Sequence, residues 1–270
     1  MPLYERFKDV SLFITSAINS ALYTYKSAYV YPTLDNVKKQ VIQLPTKNSE
    51  IDFDFMESFI AELEAERIAE LSAYLKVSGL DNYELSKEEE KTLVDYGSFH
   101  WDSFNVEALF GKSTRGKRLK GDDRIPGMLP FVTAGEANEG ISAFIGNKVK
   151  VFDKNTTTID MFGSAKYRNY QYGGDDHVAV VHTEALPMKA AIFVTSACHK
   201  AAHTGKFDYG HNFYAKDADA LDIMLPKAAD GQPDYETMET LISAVQKLVI
   251  KDVAQFTNEK IDATKRIVSK

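Results

Sequence analysis

Residues 44–71 read LPTKNSEIDFDFMESFIAELEAERIAEL, and a second version of this stretch, LPKAADGQPDYETMETLISAVQKL, occupies residues 225–248. With a one-residue gap, the copies share a Leu-Pro pair, an acidic-aromatic pair, a Met-Glu pair and an apolar pair. Further upstream, FITSA at residues 13–17 matches FVTSA at residues 193–197 at almost the same offset. Because such repeats indicate a duplicated structural unit, we expect the end of a globular domain followed by a helix to occur twice.

The repeat divides the chain into four expected segments, since residues 98–192 have no counterpart ahead of the first copy. They are the tail of a first domain over 1–45, a first spacer helix with a short helix over 46–97, a complete domain over 98–226 and a second long helix over 227–270.

Composition favours a folded protein of one or two globular units. The chain has 270 residues, of which 44% are hydrophobic, and this is enough for a sizeable core. No apolar run approaches the length of a membrane span, and the first residues lack a signal peptide, so we expect a cytoplasmic protein without membrane association. A single Cys198 excludes a disulfide framework and predicts a small buried apolar residue.

Charge is distributed unevenly along the chain. The net charge is −7, but residues 50–95 hold 14 acidic and 4 basic side chains, whereas residues 98–226 hold 15 of each. Within this balanced segment a group of cations is uninterrupted by any acid: Lys112, Arg115, Lys117, Arg118 and Lys120. Such a group creates a local positive field that the overall acidity hides.

Two long amphipathic helices are predicted. The first covers residues 52–78 and starts at Asp52 or Asp54, where Asp54 and Glu57 have the spacing of a capping box. Its apolar side chains recur at intervals of three and four, and Gly79 is a natural stop. Ser86 and Glu89 open a short acidic helix in the same way. The second long helix covers 234–269, and pairing of the two as an antiparallel coiled coil would bury Met56, Phe59, Ile60, Leu63, Met238, Ile242, Val245, Val249 and Phe256.

The rest of the chain predicts an α/β (α+β) fold built on an irregular sheet. Residues 12–31, with alternating tyrosines, and residues 41–44 read as strands. Further along, apolar runs separated by glycine and proline turns predict strands, and an alanine-rich segment predicts a helix over 185–203. The expected strands are 130–133, 141–145, 149–152, 157–161, 177–181 and 221–224.

No arrangement of residues amounts to a convincing active site. Gly111-Lys112-Ser113 resembles the end of a phosphate loop, but Val106 replaces the required first glycine. His199 and His203 have the spacing of a helical zinc pair, with Asp208 or His211 as a conceivable third ligand. Ordinary polar or interface histidines are the favoured explanation of this pair. Asp175-Asp176-His177 suits metal or acid-base work, and a turn entering a strand explains it as well. A metal-dependent nuclease and a coiled-coil assembly protein remain alternative interpretations.

Two clusters favour contact with nucleic acid. The first, residues 112–120, is flanked and interrupted by glycines, so that its backbone can approach phosphates closely, although a solvated surface loop would look the same. The second cluster mixes cations, amides and aromatics, which suit base edges and sugar-phosphate. Its expected DNA-contacting residues are Lys166, Tyr167, Arg168, Asn169 and Tyr170.

Several motifs resemble a known family. They are GMLPFVTAG at residues 127–135, NEGI at 138–141, TIDMFG at 158–163 and the Leu225-Pro226 pair that precedes a long helix. Together with the duplicated tail and helix, they resemble the target-recognition domain and spacer helix of type I restriction-modification specificity subunits. The related recognition subunits of some type II systems are similar. The resemblance covers essentially the whole chain.

The resemblance implies a non-catalytic subunit, without a cofactor, that reads double-stranded DNA. In that family two recognition domains each read half of a split site, and antiparallel helices separate them and dock adenine methyltransferase subunits. An ATP-dependent restriction subunit joins in some systems. Only one recognition domain is complete here, so we expect a homodimer with the helices 52–78 and 234–268 as its seam. Residues 1–45 would then pack against a partner chain or stay poorly ordered.

Overall fold

The computed structural model describes residues 6–8, 10–25 and 31–268. Its contacts divide the chain into two compact units. We call residues 1–83 together with 250–270 the helical unit, and residues 84–249 the sheet unit. The last long helix, Tyr235–Val268, contributes residues to both.

Further helices and a small hairpin lie in the described part of the helical unit. The helices are Ser11–Ala21 (α1), Leu34–Lys38 (α2) and Phe53–Val77 (α3), and the hairpin pairs Thr46–Lys47 (β1) with Glu50–Ile51 (β2). The strand predicted over 12–31 is wrong for its described part, because α1 and a 3-10 turn at Tyr23–Tyr25 occupy it. Residues 26–30 of that prediction lie outside the described residues, and the strand predicted over 41–44 is also absent from the structure.

Local capping fixes both ends of α3. The Phe55 backbone N–H donates to Asp52 Oδ1 at 3.0 Å, so Asp52 caps the helix and the predicted box led by Asp54 is wrong. At the other end Gly79 adopts a positive φ of 65°. The Gly79 and Leu80 N–H groups donate to the carbonyls of Lys76 and Leu75, which is the Schellman arrangement and confirms the predicted stop.

A small aromatic and aliphatic cluster joins α1 to the start of α3. Val10, Phe53 and Met56 are buried in it, and Phe13 of α1 meets Phe59 edge to face at 5.8 Å between ring centroids. Met56 is therefore a core residue of the helical unit. Its position in the apolar stripe predicts an interface between the two long helices, and that prediction is wrong.

Beyond this cluster the apolar stripe of α3 is largely open. Phe59 and Leu63 are 44% and 39% exposed. Farther along, the small residues of α3 and residues 260–263 of the last helix line a common open groove of about 620 Å³. The two long helices therefore border the same groove, and their pairing as a coiled coil stays a prediction.

The sheet unit contains three small sheets. A two-stranded sheet pairs Trp101–Asn105 (β3) with Asp222–Pro226 (β12). The two four-stranded sheets contain the strands Thr114–Arg115 (β4), Pro126–Val132 (β5), Ile141–Ile145 (β6), Val151–Phe152 (β7), Thr156–Asp160 (β8), Ala165–Arg168 (β9), Tyr172–Gly174 (β10) and Val178–Val181 (β11). One of these sheets has the order β6-β5-β10-β7, and the other has the order β4-β11-β8-β9.

This arrangement confirms the predicted α/β class with an irregular sheet, including the six predicted strands to within a few residues at their ends. The helices of the unit are Lys87–Asp95 (α4), Val106–Phe110 (α5), Met188–Ala202 (α6), Ala215–Asp219 (α7) and the first part of Tyr235–Val268 (α8). The prediction of a helix over 185–203 is confirmed by α6. None of the described helices is long and apolar enough to cross a lipid bilayer.

Helix α6 packs on the sheets and forms the main core. Its Ala190, Val194 and Cys198 are fully buried with Met238 from α8. Burial raises the pKa of the Cys198 thiol to about 12, which confirms the predicted buried apolar role. Met238 belongs to this core, and the prediction that it lies in a helix seam is wrong because α8 presents that face to its own domain.

A buried ion pair ties α4 to α8. The capping box predicted from Ser86 and Glu89 is present, with both reciprocal hydrogen bonds, and Lys247 Nζ donates to Glu89 Oε2 at 2.8 Å. Burial by itself raises the pKa of Glu89, but the hydrogen bonds from Lys247 and Ser86 outweigh it and lower the pKa to about 2. Glu89 therefore stays ionised throughout the neutral range.

Candidate nucleic-acid interface

The basic loop, residues 112–120, connects α5 to the start of β5, and its first half is anchored to the domain. Asn105 caps α5 through its side-chain oxygen, which accepts from the Ala108 N–H at 3.1 Å. The Ser113 N–H donates to Asp219 Oδ1 at 2.7 Å. The short strand β4 then pairs with β11. The loop therefore leaves the sheet from a fixed starting point.

In the middle of the loop, Gly116 makes a close backbone approach. A Cβ atom built on Gly116 would lie 1.6 Å from the carbonyl oxygen of Gly174, at the end of β10. No side chain fits between these two backbones. The glycine that the sequence marks as a source of flexibility is thus a point of tight contact that holds the loop against the sheet.

Arg124 fastens the far end of the loop. Its guanidinium donates to the carbonyl of Leu119 at 3.3 Å and to Ser142 Oγ at 3.2 Å, and it lies 5.1 Å from the centre of the Phe131 ring. Arg124 is therefore a structural cation. It closes the loop onto the sheet that contains β5 and β6.

The five predicted cations of the loop all face solvent. None of them takes part in an ion pair with another described residue. They are Lys112, Arg115, Lys117, Arg118 and Lys120. Anchored at both ends and in the middle, the loop presents a compact group of available positive charges, which is the chemistry that phosphate contact requires.

The second predicted cluster is arranged very differently. Arg168 is 1% exposed, and its guanidinium donates to Thr158 Oγ1 at 2.9 Å and to the Tyr170 hydroxyl at 3.0 Å. Lys166 donates to Glu136 and Ser164, and Tyr167 donates to Asn155 Oδ1 at 2.8 Å. In this conformation Arg168 cannot reach DNA, because its donors face the interior of the domain, and that prediction is corrected.

Of the remaining members, Tyr170 is half-buried and Asn169 is exposed. Asn169 lines a cleft with Tyr167 and Glu184, whereas the basic loop borders a different one. The structure therefore does not bring the two predicted clusters together in one cleft.

A polar cleft of about 450 Å³ adjoins the basic loop. Arg118, Lys120 and Arg124 contribute to one part of its lining, and the sequence predicted no contact with nucleic acid for the residues that complete it. These are Asp175, His177, Tyr209 and Asn212, together with apolar Met161. They come from three separate parts of the chain, and only folding brings them to the loop.

Short turns set the geometry of this cleft. Asp175 follows β10, and its N–H donates to the Val132 carbonyl at 2.9 Å. Asp208 Oδ1 accepts from the N–H groups of Gly210 and His211, each at 2.8 Å. This arrangement tightens the turn on which Tyr209 stands. The Tyr209 ring is 86% exposed and meets Phe162 edge to face at 5.2 Å.

Two carboxylates at the cleft lie close together. Burial raises the pKa of Asp175 above its ordinary value, and the neighbouring Asp176 carboxyl raises it further. Ligand atoms of Asp175, Asp176 and His177 lie within 4.8 Å of one another. Acidic groups so placed are common without a metal ion, so this grouping alone does not establish a metal site.

The residues of the nuclease alternative have structural partners. The rings of His199 and His203 stack at 4.7 Å between centroids, and His199 Nδ1 accepts the Ala165 N–H at 3.1 Å. Asp208 Oδ1 is used by its own turn. These three residues are therefore arranged to support the fold, and nothing in their geometry favours a shared metal ion.

Comparison with known proteins shows which family this chain resembles. Residues 100–265 match the family model for the type I restriction modification DNA specificity domain. The chain is 26% identical over 253 residues to the specificity subunit S.BcgI of a type II restriction enzyme from Heyndrickxia coagulans, covering 93% of this chain and 70% of the relative. Its fold is similar to that of the S subunit of a type I restriction-modification system from M. genitalium, at a TM-score of 0.53 and 12% identity, covering 96% of this chain and 70% of that one. Because the family model spans more than half of its residues, this chain belongs to the type I restriction modification DNA specificity family.

Proposed function

We propose that the chain is the non-catalytic subunit of a restriction-modification system that reads one half of a DNA site through residues 98–226. The observation that carries this proposal is the basic loop, which combines five exposed cations with a backbone fixed at both ends and at Gly116. Family membership supports it, as does the similarity to a specificity subunit of a type II restriction enzyme.

The loop would act mainly on the sugar-phosphate backbone. Each phosphate that a cation neutralises releases condensed counterions, so affinity falls as salt rises. Contacts of this kind position the protein on the duplex without reading sequence, and base contacts from the neighbouring cleft would add specificity. Asn169 and Tyr170 remain proposed contacts, whereas Lys166 and Tyr167 would first have to leave their present partners.

The test is a titration of short DNA duplexes at several salt concentrations, with Lys117 and Arg118 both changed to Gln. We expect the double variant to bind all duplexes more weakly, and its slope of log affinity against log salt to be smaller by up to about 2. Changing Lys38 and Lys39 to Gln removes the same charge from the helical unit and should leave the slope unchanged. A parent chain that binds no duplex at low salt would overturn the proposal.

A second result would correct the role of the loop. If the double variant kept its salt slope but selected a different sequence, Lys117 and Arg118 would be base-reading residues. The phosphate role would then fall to other cations.

We also propose that the long helices dock adenine methyltransferase subunits, with a restriction subunit as a further partner in some assemblies. Exposed apolar residues on α8 support this: Val245, Val249 and Phe256 are 41%, 75% and 50% exposed. Ile242 is half-buried on the same helix. Co-expression with a candidate methyltransferase should give a stable complex that Val249→Asp weakens, while Glu259→Gln on the same helix leaves it intact.

Pairing of two chains along helices 52–78 and 234–268 is the proposed arrangement of the specificity subunit itself, with Phe59, Ile60 and Leu63 contributing from α3. Light scattering at micromolar concentration should then give twice the mass of one chain. A single-chain mass under these conditions would contradict the homodimer without affecting DNA reading.

A further inference from the structure

The polar cleft beside the basic loop contains hydrogen-bond acceptors that the protein does not use. Among the described side chains, Asn212 Oδ1 and Asp176 Oδ1 are buried and accept no hydrogen bond. Asn212 lines the cleft. Asp176 lies between Asp175 and His177, which also line it, and His177 Nδ1 is 3.2 Å from Asp176 Oδ1 without the alignment of a hydrogen bond.

Unused buried acceptors are uncommon in folded proteins. The great majority of buried polar groups have a partner, and one that is left unpaired destabilises the fold. One of these two atoms, Asn212 Oδ1, belongs to a residue that lines the cleft, and this favours a ligand that brings hydrogen-bond donors. The half-buried Asp175 carboxylate adds further acceptor capacity on the same side.

The other residues that line the cleft restrict the class of ligand it can bind. Arg118 and Lys120 are exposed cations, which attract phosphate. The exposed Tyr209 ring offers a flat apolar face or edge. A ligand that combines anionic oxygens, a flat ring and an outward-pointing amino group satisfies all three parts of the lining.

Base edges in duplex DNA differ in just these donors. In the major groove adenine and cytosine each present an exocyclic amino group, whereas guanine and thymine present acceptor oxygens. Guanine O6 or thymine O4 placed against Asn212 Oδ1 and the Asp175 carboxylate would bring acceptors together and leave them unpaired.

We propose that this cleft reads an adenine or a cytosine: the one N–H of its exocyclic amino group that base pairing leaves free is shared by Asn212 Oδ1 and the Asp175 carboxylate, while Arg118 and Lys120 hold the adjoining phosphates. The proposal rests on the proposed function and deepens it, because it separates base-reading residues from the phosphate-contacting loop. It moves base reading away from β9, where the cations and aromatics of residues 166–168 are engaged within the domain.

The test begins with selection of preferred duplexes from a random pool by the full-length parent chain, followed by the same selection with three variants. Asn212→Ala removes the acceptor, Asn212→Asp keeps an acceptor oxygen, and Asp175→Asn keeps the shape but lowers the acceptor capacity. Gln232→Ala is the matched control, since it removes an exposed amide that does not line the cleft.

We expect Asn212→Ala to relax the preference at one position that carries adenine or cytosine, with about tenfold or greater loss of discrimination there. The other positions and the salt slope should remain as in the parent. Asn212→Asp should retain the preference, and Asp175→Asn should weaken it. A parent site in which that base is replaced by an analogue without its amino group should bind about as weakly as the mismatched site.

The possible failures are distinguishable. If the parent selects a sequence but Asn212→Ala and Asp175→Asn select it equally well, or if the site with the analogue binds as tightly as the unmodified site, the cleft proposal is overturned and the proposed function stands. If the parent binds duplexes but selects no sequence, the cleft proposal is overturned and only the phosphate-contacting role of the loop survives. If the parent binds no duplex, both are overturned.

Discussion

The basic loop and strand β9 carry similar side chains but use them in opposite ways. The cations of the loop are exposed and lack ion-pair partners among the described residues, whereas Arg168 on β9 is buried and bonded to Thr158 and Tyr170. The loop crosses the surface between α5 and β5, while β9 packs beneath α6 and beside β8. A cation therefore indicates a binding surface only when the fold leaves it without an internal partner.

The largest effect on stability should come from removing the buried cation. Arg168→Ala deletes two charge-assisted hydrogen bonds and leaves a cavity beside Tyr172, so we expect the free energy of unfolding to fall by about 3 kcal/mol. Urea denaturation followed by the fluorescence of the single Trp101, which lies in the sheet unit, measures this. Arg118→Ala in the loop should change stability by less than about 0.5 kcal/mol, and equal losses would refute the contrast.

A second variant tests whether the loop is held in place rather than merely exposed. Gly116→Ala forces a methyl group into the Gly174 carbonyl, which should cost about 2 kcal/mol of stability and weaken binding to every duplex. Gly121→Ala, directly after the loop, is the control, because nothing lies within 4 Å of the added carbon. If both variants behave like the parent, the loop is not fixed through its middle.

Lys247 is a cation with an internal partner, Glu89, and the pH dependence of stability tests whether this ion pair stabilises the fold. The folded-state pKa of Glu89 is lowered to about 2 from an ordinary value of 4.5, so its contribution to stability is present above pH 4.5 and is lost as pH falls towards 2. Glu89→Gln should lose about 2 kcal/mol at pH 7.

The difference in unfolding free energy between that variant and the parent should then shrink on acidification through this window. Glu90→Gln, which alters an exposed neighbour on the same helix, should show little difference at any pH. If the unfolding free energies of the parent and of Glu89→Gln differ by the same amount at pH 7 and at pH 3, the ion pair between Glu89 and Lys247 is not the source of that stability.

The smallest effect is expected on DNA binding by the β9 cluster. Lys166→Gln removes a cation that already contacts Glu136 and Ser164, so the salt slope of duplex binding should stay within error of the parent. A fall in slope comparable to that of one loop cation would show that Lys166 leaves its partners when DNA binds.

Local sequence patterns predicted most of the elements of the sheet unit and both long helices. The capping box at Ser86 and the stop at Gly79 depend on neighbours in sequence, so they could be read directly. The error at residues 12–31 arose because alternating tyrosines mimic a strand. The repeat contained the correction, since residues 13–17 match residues 193–197, which were expected to be helical.

The candidate site could be predicted only in part. The basic loop could be predicted because its five cations lie within nine residues and no acidic residue stands between them. The burial of Arg168 was not visible, because its partner Thr158 lies across a β ladder, and neither was the cleft, whose acceptors meet through the turns that follow β10 and α6. Met56 and Met238 were assigned to a helix seam for a similar reason, since a helical stripe does not reveal which surface covers it.

The contact between Gly116 and Gly174 has a consequence for how such a protein can change its target. A side chain on Gly116 would meet the carbonyl oxygen of Gly174, so position 116 must remain glycine while the loop keeps this attachment. The cations on either side of Gly116 have no such constraint, because they contribute little to folding. Substitutions could therefore accumulate around a fixed anchor, and the loop could acquire new DNA preferences while its attachment to the sheet stays the same.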